Sequence, residues 1–132
     1  MSEVYYPRVD IANVTSLQLV VTDGRTFTDR EDTDTTHRIQ LLDRDSLSYR
    51  QVDTDKDGHY RITKTYTTDP DRNTVLLDVS VRSLDRGHYS AYVLYDPSLA
   101  NSGKHDSATT DGHTLLAEDA TTDTPVASAL SA

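Results

Sequence analysis

The sharpest pattern of potentially reactive residues is the acidic run Asp53-Thr54-Asp55-Lys56-Asp57-Gly58. Aspartates at alternate positions are typical of the first half of a calcium loop, because their carboxylates can converge on one cation while the glycine allows a sharp turn. The match ends at the twelfth loop position, which holds Lys64 where a bidentate glutamate is needed. An Asp-rich turn between two strands explains the same residues. The sequence therefore assigns no metal ligand here and leaves calcium binding by Asp53, Asp55 and Asp57 open.

The histidines are a second set of potential metal ligands. They are His37, His59, His88, His105 and His113. None lies four residues from another, which is the spacing that two zinc ligands on one helix face require. The last two lie close to Asp106 and Asp111, so a loop could bring four ligands together, but clustered polar residues in loops are usually solvated. The sequence assigns no metal ligand among them.

The residue pattern does not indicate acid–base or nucleophilic catalysis. Glu3, Glu31 and Glu118 are the only glutamates, and none lies in an aromatic-rich stretch that would line a sugar pocket. A nucleophile elbow, a Gly-rich phosphate loop and a nucleotide-binding fingerprint are all absent from the sequence. The sequence therefore predicts no catalytic residue and no cofactor.

Tyrosines are the remaining candidates for ligand contact, because an aromatic face packs well against the C–H groups of a sugar ring. The candidates are Tyr5, Tyr6, Tyr60, Tyr66, Tyr89, Tyr92 and Tyr95. At strand positions a buried core aromatic is the usual outcome. We expect Tyr60 and Tyr66 in the core, together with at least one of the last two. The first two are adjacent and point to opposite faces of an extended segment, so at most one should be buried.

Strands are the elements that must position these residues, because apolar and polar side chains alternate with a period of two. The clearest strand covers 73–82, and a second covers 59–68. The segment 68–73 between them contains Asp, Asn and Pro, which favour turns. The other predicted strands cover residues 16–22, 24–28, 38–42, 47–52, 89–95 and 115–118. Strands spaced by roughly ten residues, with turn residues between them, indicate an antiparallel β-sandwich or barrel.

Two regions fall outside this pattern. Residues 97–112 are too polar for a sandwich strand and predict a long loop. Residues 120–132 are small and polar, and predict a flexible tail. The aromatic block Val4-Tyr5-Tyr6-Pro7 begins without a preceding strand, and few strands are available for a sandwich. Both features lead us to expect an incomplete sandwich.

Composition limits the partners. The net charge is −9, with 22 acidic residues against 13 basic ones, which argues against nucleic acid or an anionic membrane. Abundant Asp with scarce Lys is also expected of a protein from a high-salt cytoplasm, where counter-ions screen self-repulsion. No cysteine is present, which excludes disulfides and thiolate metal sites. The sequence shows neither a membrane-spanning apolar stretch nor a secretory signal, so a cytoplasmic location is the default expectation.

Four sequence blocks carry a resemblance to a known family. They are EVYYPRVD at 3–10, LQLVVTDG at 17–24, RITKTYTTDPDRNTVLLD at 61–78 and YVLYDPSLANSG at 92–103. In this order they resemble the N-terminal β-sandwich domain of prokaryotic glucoamylases and glucodextranases of glycoside hydrolase family 15. The resemblance leads us to expect one partial domain of this kind over 1–119, followed by the tail.

The resemblance implies an all-β fold, an antiparallel β-sandwich of the galactose-mutarotase-like super-sandwich type, present in part. In family members an (α/α)-barrel follows and carries two catalytic glutamates that release glucose from α-glucans. No residue of this chain matches that machinery, so no catalytic residue is transferred. The implied role is a non-catalytic domain fragment with a structural or accessory carbohydrate-contact function, with α-glucan and the barrel as partners. An independent carbohydrate-binding β-module and a truncated reading frame without function are the alternatives.

Overall fold

The computed structural model of the protein describes residues 3–121 and 126–132. Its strands are β1 (Val4–Tyr5), β2 (Ala12–Thr22), β3 (Thr28–Arg30), β4 (Thr35–Asp43), β5 (Ser48–Asp55), β6 (Tyr60–Asp69), β7 (Thr74–Ser83), β8 (Ser90–Pro97), β9 (Ser107–Thr110), β10 (Thr114–Asp119) and β11 (Val126–Ser131). Helical structure in the described part is confined to α1 (Glu31–Asp34) and a 3-10 turn (Leu99–Asn101). The strand pairs with a defined register are antiparallel. The predicted all-β class is confirmed.

The chain divides into two compact units, the first comprising 1–18 and 93–132 and the second comprising 19–92. The second unit contains a four-stranded sheet in which β4, β5, β6 and β7 are neighbours in chain order. Because side chains alternate along a strand, the register places residues on two faces. One face, here called the inner face, carries Asp53 opposite Ile62 and Ile62 opposite Val81. The outer face carries Arg61 opposite Arg82.

Aspartate side chains close the turns of this sheet, as the turn chemistry of the sequence predicts. Asp43 Oδ1 accepts the amide of Asp45 at 2.9 Å between β4 and β5. Asp69 Oδ1 accepts the amide of Asp71 at 2.9 Å between β6 and β7. Gly58, between β5 and β6, has a φ of 84°, which a residue with a Cβ adopts only under strain.

The core of the second unit forms on the inner face. Its buried members are Leu19, Val21, Tyr60 and Ile62, and the half-buried Phe27, Val81 and Tyr89 pack against them. Strands β2 and β6 therefore contribute the fully buried side chains. Tyr60 lies in the core, as the sequence predicts.

The predicted strand over 24–28 is wrong. Asp23 Oδ1 accepts the backbone amides of Arg25 at 2.9 Å and Thr26 at 2.8 Å, and these bonds fold the chain into a loop wider than a two-residue turn. Strand β3 consequently begins only at Thr28, where it pairs with Thr22.

Two asparagines tie distant segments of the first unit together. Asn13 is buried, and its Nδ2 donates to the carbonyl of Tyr6 at 2.6 Å while its Oδ1 accepts the amide of Ala100 at 3.0 Å. Asn101 Nδ2 donates to the carbonyl of Asp10 at 2.9 Å. Together these bonds fix the segment after β8 beside the start of β2. Each asparagine thereby reaches a backbone group more than eighty residues away in sequence.

The first unit also corrects two predictions. The predicted loop over 97–112 contains the 3-10 turn, which buries Leu99, and the short strand β9. The predicted tail over 120–132 contains β11, which pairs with β10 along its full length, so Val126–Ser131 is ordered sheet. Residues 122–125 of that prediction lie outside the described residues. These strands consist of small residues that bury little apolar surface. They form because β10 offers backbone hydrogen bonds on both of its sides.

Candidate functional site

The structure separates the three aspartates of the acidic run. Asp53 is fully buried on the inner face of β5, where neighbouring side chains bind its carboxylate. Asp55 is also buried, and its Oδ2 accepts the amide of His59 at 2.8 Å. Asp57 is exposed in the turn. Nowhere in residues 3–121 and 126–132 do three or more His, Asp or Glu side chains converge as a metal site requires.

Both aspartates between residues 105 and 113 also accept structural hydrogen bonds. Asp111 Oδ1 accepts the amides of His113 at 2.8 Å and Thr114 at 2.7 Å, and these bonds lower the pKa of Asp111. Asp106 Oδ2 accepts the amide of Leu99 at 2.9 Å. The two aspartates therefore close turns of the first unit at separate places.

Of the two β6 tyrosines that the sequence places in the core, only one is part of it. Tyr60 is fully buried. Tyr66 is half-buried, and its hydroxyl donates to Gln51 Oε1 at 2.9 Å. Burial, together with the nearby charges of Glu31 and Asp53, raises the pKa of Tyr66 and keeps its hydroxyl a donor.

The tyrosines of the first unit are more exposed. Tyr95 is half-buried and donates to Ser128 Oγ at 2.5 Å, so this tyrosine occupies a packed position. Tyr5 and Tyr6 are both exposed, which agrees with the expectation that at most one is buried. In the second unit Tyr92 is 60% exposed and presents its ring to solvent.

A buried ion pair is the most unusual feature of the second unit. Lys64 and Glu31 are 1% and 3% exposed, and the Lys64 ammonium donates to both carboxylate oxygens of Glu31. Glu31 Oε2 also accepts the amide of Leu19 at 2.8 Å. A buried pair of charges needs additional hydrogen bonds to offset its desolvation, and the Leu19 amide supplies one of them. One carboxylate thereby connects β2, α1 and β6.

Gln51 extends the ion pair into a larger cluster. Its Nε2 donates to Glu31 Oε1 at 3.2 Å and to both oxygens of Asp53 at 3.0 Å. Asp53 Oδ1 lies 2.8 Å from the Nδ1 of His37, whose side chain is 41% exposed. We call this set the inner-face polar network. Its members are Glu31, His37, Gln51, Asp53, Lys64 and Tyr66.

Protein donors occupy both carboxylates of the inner-face polar network. Glu31 and Asp53 are buried, and each accepts hydrogen bonds from neighbouring side chains. The sequence did not reveal the network, since Lys64 stood out only as a mismatch to a calcium loop. Its position between Ile62 and Tyr66, on the core-facing side of β6, was the available signal.

A second cluster gathers around Asp85. Its carboxylate accepts the Gly87 amide at 2.8 Å and the Tyr89 hydroxyl at 2.8 Å, and lies 2.9 Å from His59 Nδ1. The Gly87 amide, followed by His59, holds the pKa of Asp85 far below its usual value. The hydrogen bond to Asp85 raises the pKa of His59. Burial, and then the hydrogen bond to the same carboxylate, raise the pKa of Tyr89 to about 12. The His59 ring stacks on Phe27, with centroids 5.2 Å apart.

Comparison with known proteins decides the family. The sequence model of the family "Glucodextranase, domain N" matches residues 1–132. The chain belongs to this family. A glucoamylase from Clostridium sp. (strain G0005) is 39% identical over 107 residues, which are 80% of this chain and 15% of that protein. The crystal structure of a bacterial glucoamylase complexed with acarbose matches with a TM-score of 0.79 and 32% identity, over 89% of this chain and 20% of that chain.

These matches confirm the resemblance carried by the four sequence blocks and the antiparallel β-sandwich class that it implies. The chain is an N-terminal domain of the glucoamylase and glucodextranase type. It spans 15–20% of the length of the two glucoamylases. Within the described part, no helix has the length and apolar character needed to cross a membrane.

Proposed function

We propose that this glucodextranase N domain is the non-catalytic, structural part of an α-glucan hydrolase whose other part is a C-terminal (α/α)-barrel catalytic domain. The observation that carries the proposal is the family match over the whole chain. The inner-face polar network supports it. A glycosidase needs two carboxyl groups flanking the scissile bond, about 5–10 Å apart with room for substrate. Glu31 and Asp53 have instead been taken up by protein donors.

Glucose release tests the absence of catalysis. We expect the chain alone to release no glucose from maltooligosaccharides or dextran above a buffer blank. Glu31→Gln and Asp53→Asn serve as matched variants, because they remove the two carboxylates of the inner-face polar network. If the wild type releases glucose and either variant folds but releases none, the proposal is contradicted.

A structural role also requires that the chain folds. We expect cooperative thermal unfolding, followed by circular dichroism. The acidic surface should make this transition salt-dependent, because raising KCl from about 0.1 M to about 1 M shortens the screening length from about 10 Å to about 3 Å. We propose on this basis that the domain is adapted to high salt. A transition that is absent at both salt concentrations would instead favour a truncated reading frame.

Carbohydrate contact is the second candidate function, and the exposed ring of Tyr92 favours it. A tyrosine face left in solvent can stack on a glucose unit without any rearrangement of the core. We expect the chain to be retarded in an α-glucan affinity gel and Tyr92→Ala to lose that retardation. Leu76→Ala is the matched control, because Leu76 is similarly exposed at 55% against 60% but not aromatic. Equal migration of a folded wild type with and without glucan would contradict this function.

A further inference from the structure

The outer face of the β4–β7 sheet concentrates positive charge in an acidic protein. Four of its positions are arginines, although the chain has only 13 basic residues and a net charge of −9. We call this surface the arginine face. It is defined by the exposed side chains of Arg38, Arg50, Arg61 and Arg82.

The strand register sets the spacing of these arginines. Arg61 lies directly opposite Arg82, so their Cα atoms are neighbours across two strands. Arg38 lies opposite Val52 and Arg50 opposite Gln40, which makes Arg38 and Arg50 a diagonal pair. Diagonal neighbours of this kind are about 7–8 Å apart, within reach of long side chains. One ligand of modest size would therefore meet several guanidinium groups at once.

None of these four arginines forms an ion pair within the described part of the chain, although the exposed Asp78 lies on the same face, opposite Thr65. Across residues 3–121 and 126–132, the ion pairs of basic side chains involve Arg8, Arg30, His37, His59 and Lys64. The arginine face contributes none of them, and its one side-chain hydrogen bond joins Arg61 Nε to Thr54 Oγ1 at 3.3 Å. Like charges directly opposite each other, as at Arg61 and Arg82, are unfavourable. Such repulsion is relieved when an anion binds between them.

A concave site lies on this surface. The cavity measures about 530 Å³ and is lined by Thr36, His37, Arg38, Gln40, Arg50, Val52, Thr54 and Arg61. A volume of this order suits a small molecule. Its lining residues include no Asp or Glu, and their one aromatic residue is His37, whose imidazole lies beside Asp53 in the inner-face polar network. The groups that face it are guanidinium donors separated by hydroxyl and amide groups.

We propose that the arginine face binds a phosphorylated saccharide. Guanidinium groups pair with phosphate through two parallel hydrogen bonds, which an ammonium cannot do. The hydroxyls of Thr36 and Thr54 and the amide of Gln40 match the hydroxyl groups of a sugar. A nucleic acid strand fits poorly, because the surrounding acidic surface repels an extended polyanion. This inference rests on the proposed carbohydrate-contact function and adds a phosphate to its ligand.

Calorimetric titration of the full chain tests the proposal, with glucose 6-phosphate, glucose and inorganic phosphate as probes. We expect glucose 6-phosphate to bind at least ten times more tightly than either of the other two, and to weaken as salt is added. Arg38→Gln and Arg50→Gln should each weaken binding by about tenfold, the usual effect of losing one charged hydrogen bond. Arg72→Gln, at an exposed position in the turn between β6 and β7, should bind like the wild type.

Several results would overturn the proposal. The first is equal affinity for glucose and glucose 6-phosphate, and the second is equal affinity for inorganic phosphate and glucose 6-phosphate. The third is a loss of affinity in Arg72→Gln as large as that in Arg38→Gln and Arg50→Gln. No binding of any probe by a folded chain would do so too. Tighter binding of polyglutamate, in competition with the sugar phosphate, would assign the face to an acidic protein. If Arg38→Gln unfolds, Arg50→Gln carries the test. Retardation by neutral glucan that depends on Tyr92, found together with equal affinity for glucose and glucose 6-phosphate, would leave carbohydrate contact intact while this inference fails.

Discussion

Lys64 is the residue on which the second unit depends most. Its ammonium is the only positive charge in contact with the buried carboxylate of Glu31 among the described residues. Lys64→Met keeps the length of the side chain but leaves that carboxylate buried without a counter-charge. We expect the free energy of unfolding to fall by about 3–5 kcal/mol, measured by urea denaturation. Lys104→Met, which replaces an exposed lysine, should change the free energy of unfolding little. A loss under about 1 kcal/mol in Lys64→Met would contradict this account.

His59 should make stability depend on pH in the neutral range. The hydrogen bond to Asp85 raises the pKa of His59 above its ordinary value of 6.5. A raised folded-state pKa stabilises the fold fully below the unfolded value, and this contribution is lost as pH rises through the folded value. We therefore expect the melting temperature of the wild type to exceed that of His59→Gln by more at about pH 5.5 than at about pH 8.5.

NMR titration checks the same residue directly. The imidazole of His59 should titrate above the ordinary value of 6.5, and Asp85→Asn should lower its pKa. If the pKa of His59 is the same in the wild type and in Asp85→Asn, the Asp85 hydrogen bond does not exist in solution.

Residue roles were predictable from the sequence only where local chemistry decides them. The turn aspartates Asp43 and Asp69 follow from their own neighbours in sequence. Glu31 and Lys64 are 33 positions apart, and nothing local indicates that they meet. The hydrogen bond between Asp85 and His59 spans 26 positions, and the local sequence does not indicate it either. Long-range polar contacts of this kind require the strand register, which a single sequence does not supply.

Gly58 sets the hairpin between β5 and β6. Its φ of 84° lies in the left-handed region, and a Cβ added there would meet no atom within 4 Å. Gly58→Ala therefore introduces backbone strain without a clash, and we expect it to lower the free energy of unfolding by about 1–2 kcal/mol. Urea denaturation measures this, with Asp57→Ala at the exposed neighbour as the control. An unchanged midpoint in Gly58→Ala would show that the turn adopts another conformation.

Strand prediction succeeded where alternation was strong and failed where strands lack apolar residues. β6 and β7 were found within about two residues of their observed ends, because Ile62 and Val81 belong to clear period-2 patterns. β9 has the sequence SATT and all its side chains are exposed. It is a strand because β10 offers a partner, which only the folded chain reveals. β11 was missed for the same reason, although Val126 and Leu130 do alternate with smaller residues.

At the scale of the molecule, charge and apolar surface are distributed unevenly. The protein has a net charge of −9 but carries an arginine face on one side of the β4–β7 sheet. On the opposite, inner face, apolar side chains that are not part of the core are exposed to solvent. The exposed patch on this inner face comprises Ile39, Leu41, Tyr49 and Val79. The register holds Leu41 directly opposite Tyr49, so the patch is continuous across β4 and β5. Contiguous apolar surface of this kind marks an interface with another protein surface.

Self-association in solution is the consequence that we expect from this patch. β4 is an edge of its sheet, and an edge strand with exposed apolar side chains is a template for a second chain. Ile39 is 68% exposed, so Ile39→Lys adds a charge to the patch without disturbing the core. We expect light scattering after gel filtration to show dimers or larger species of the wild type and monomers of Ile39→Lys. Val9→Lys, which changes an apolar residue that is 90% exposed outside the patch, should associate like the wild type. Monomeric wild type at high salt, where acidic self-repulsion is screened, would contradict the role of the patch.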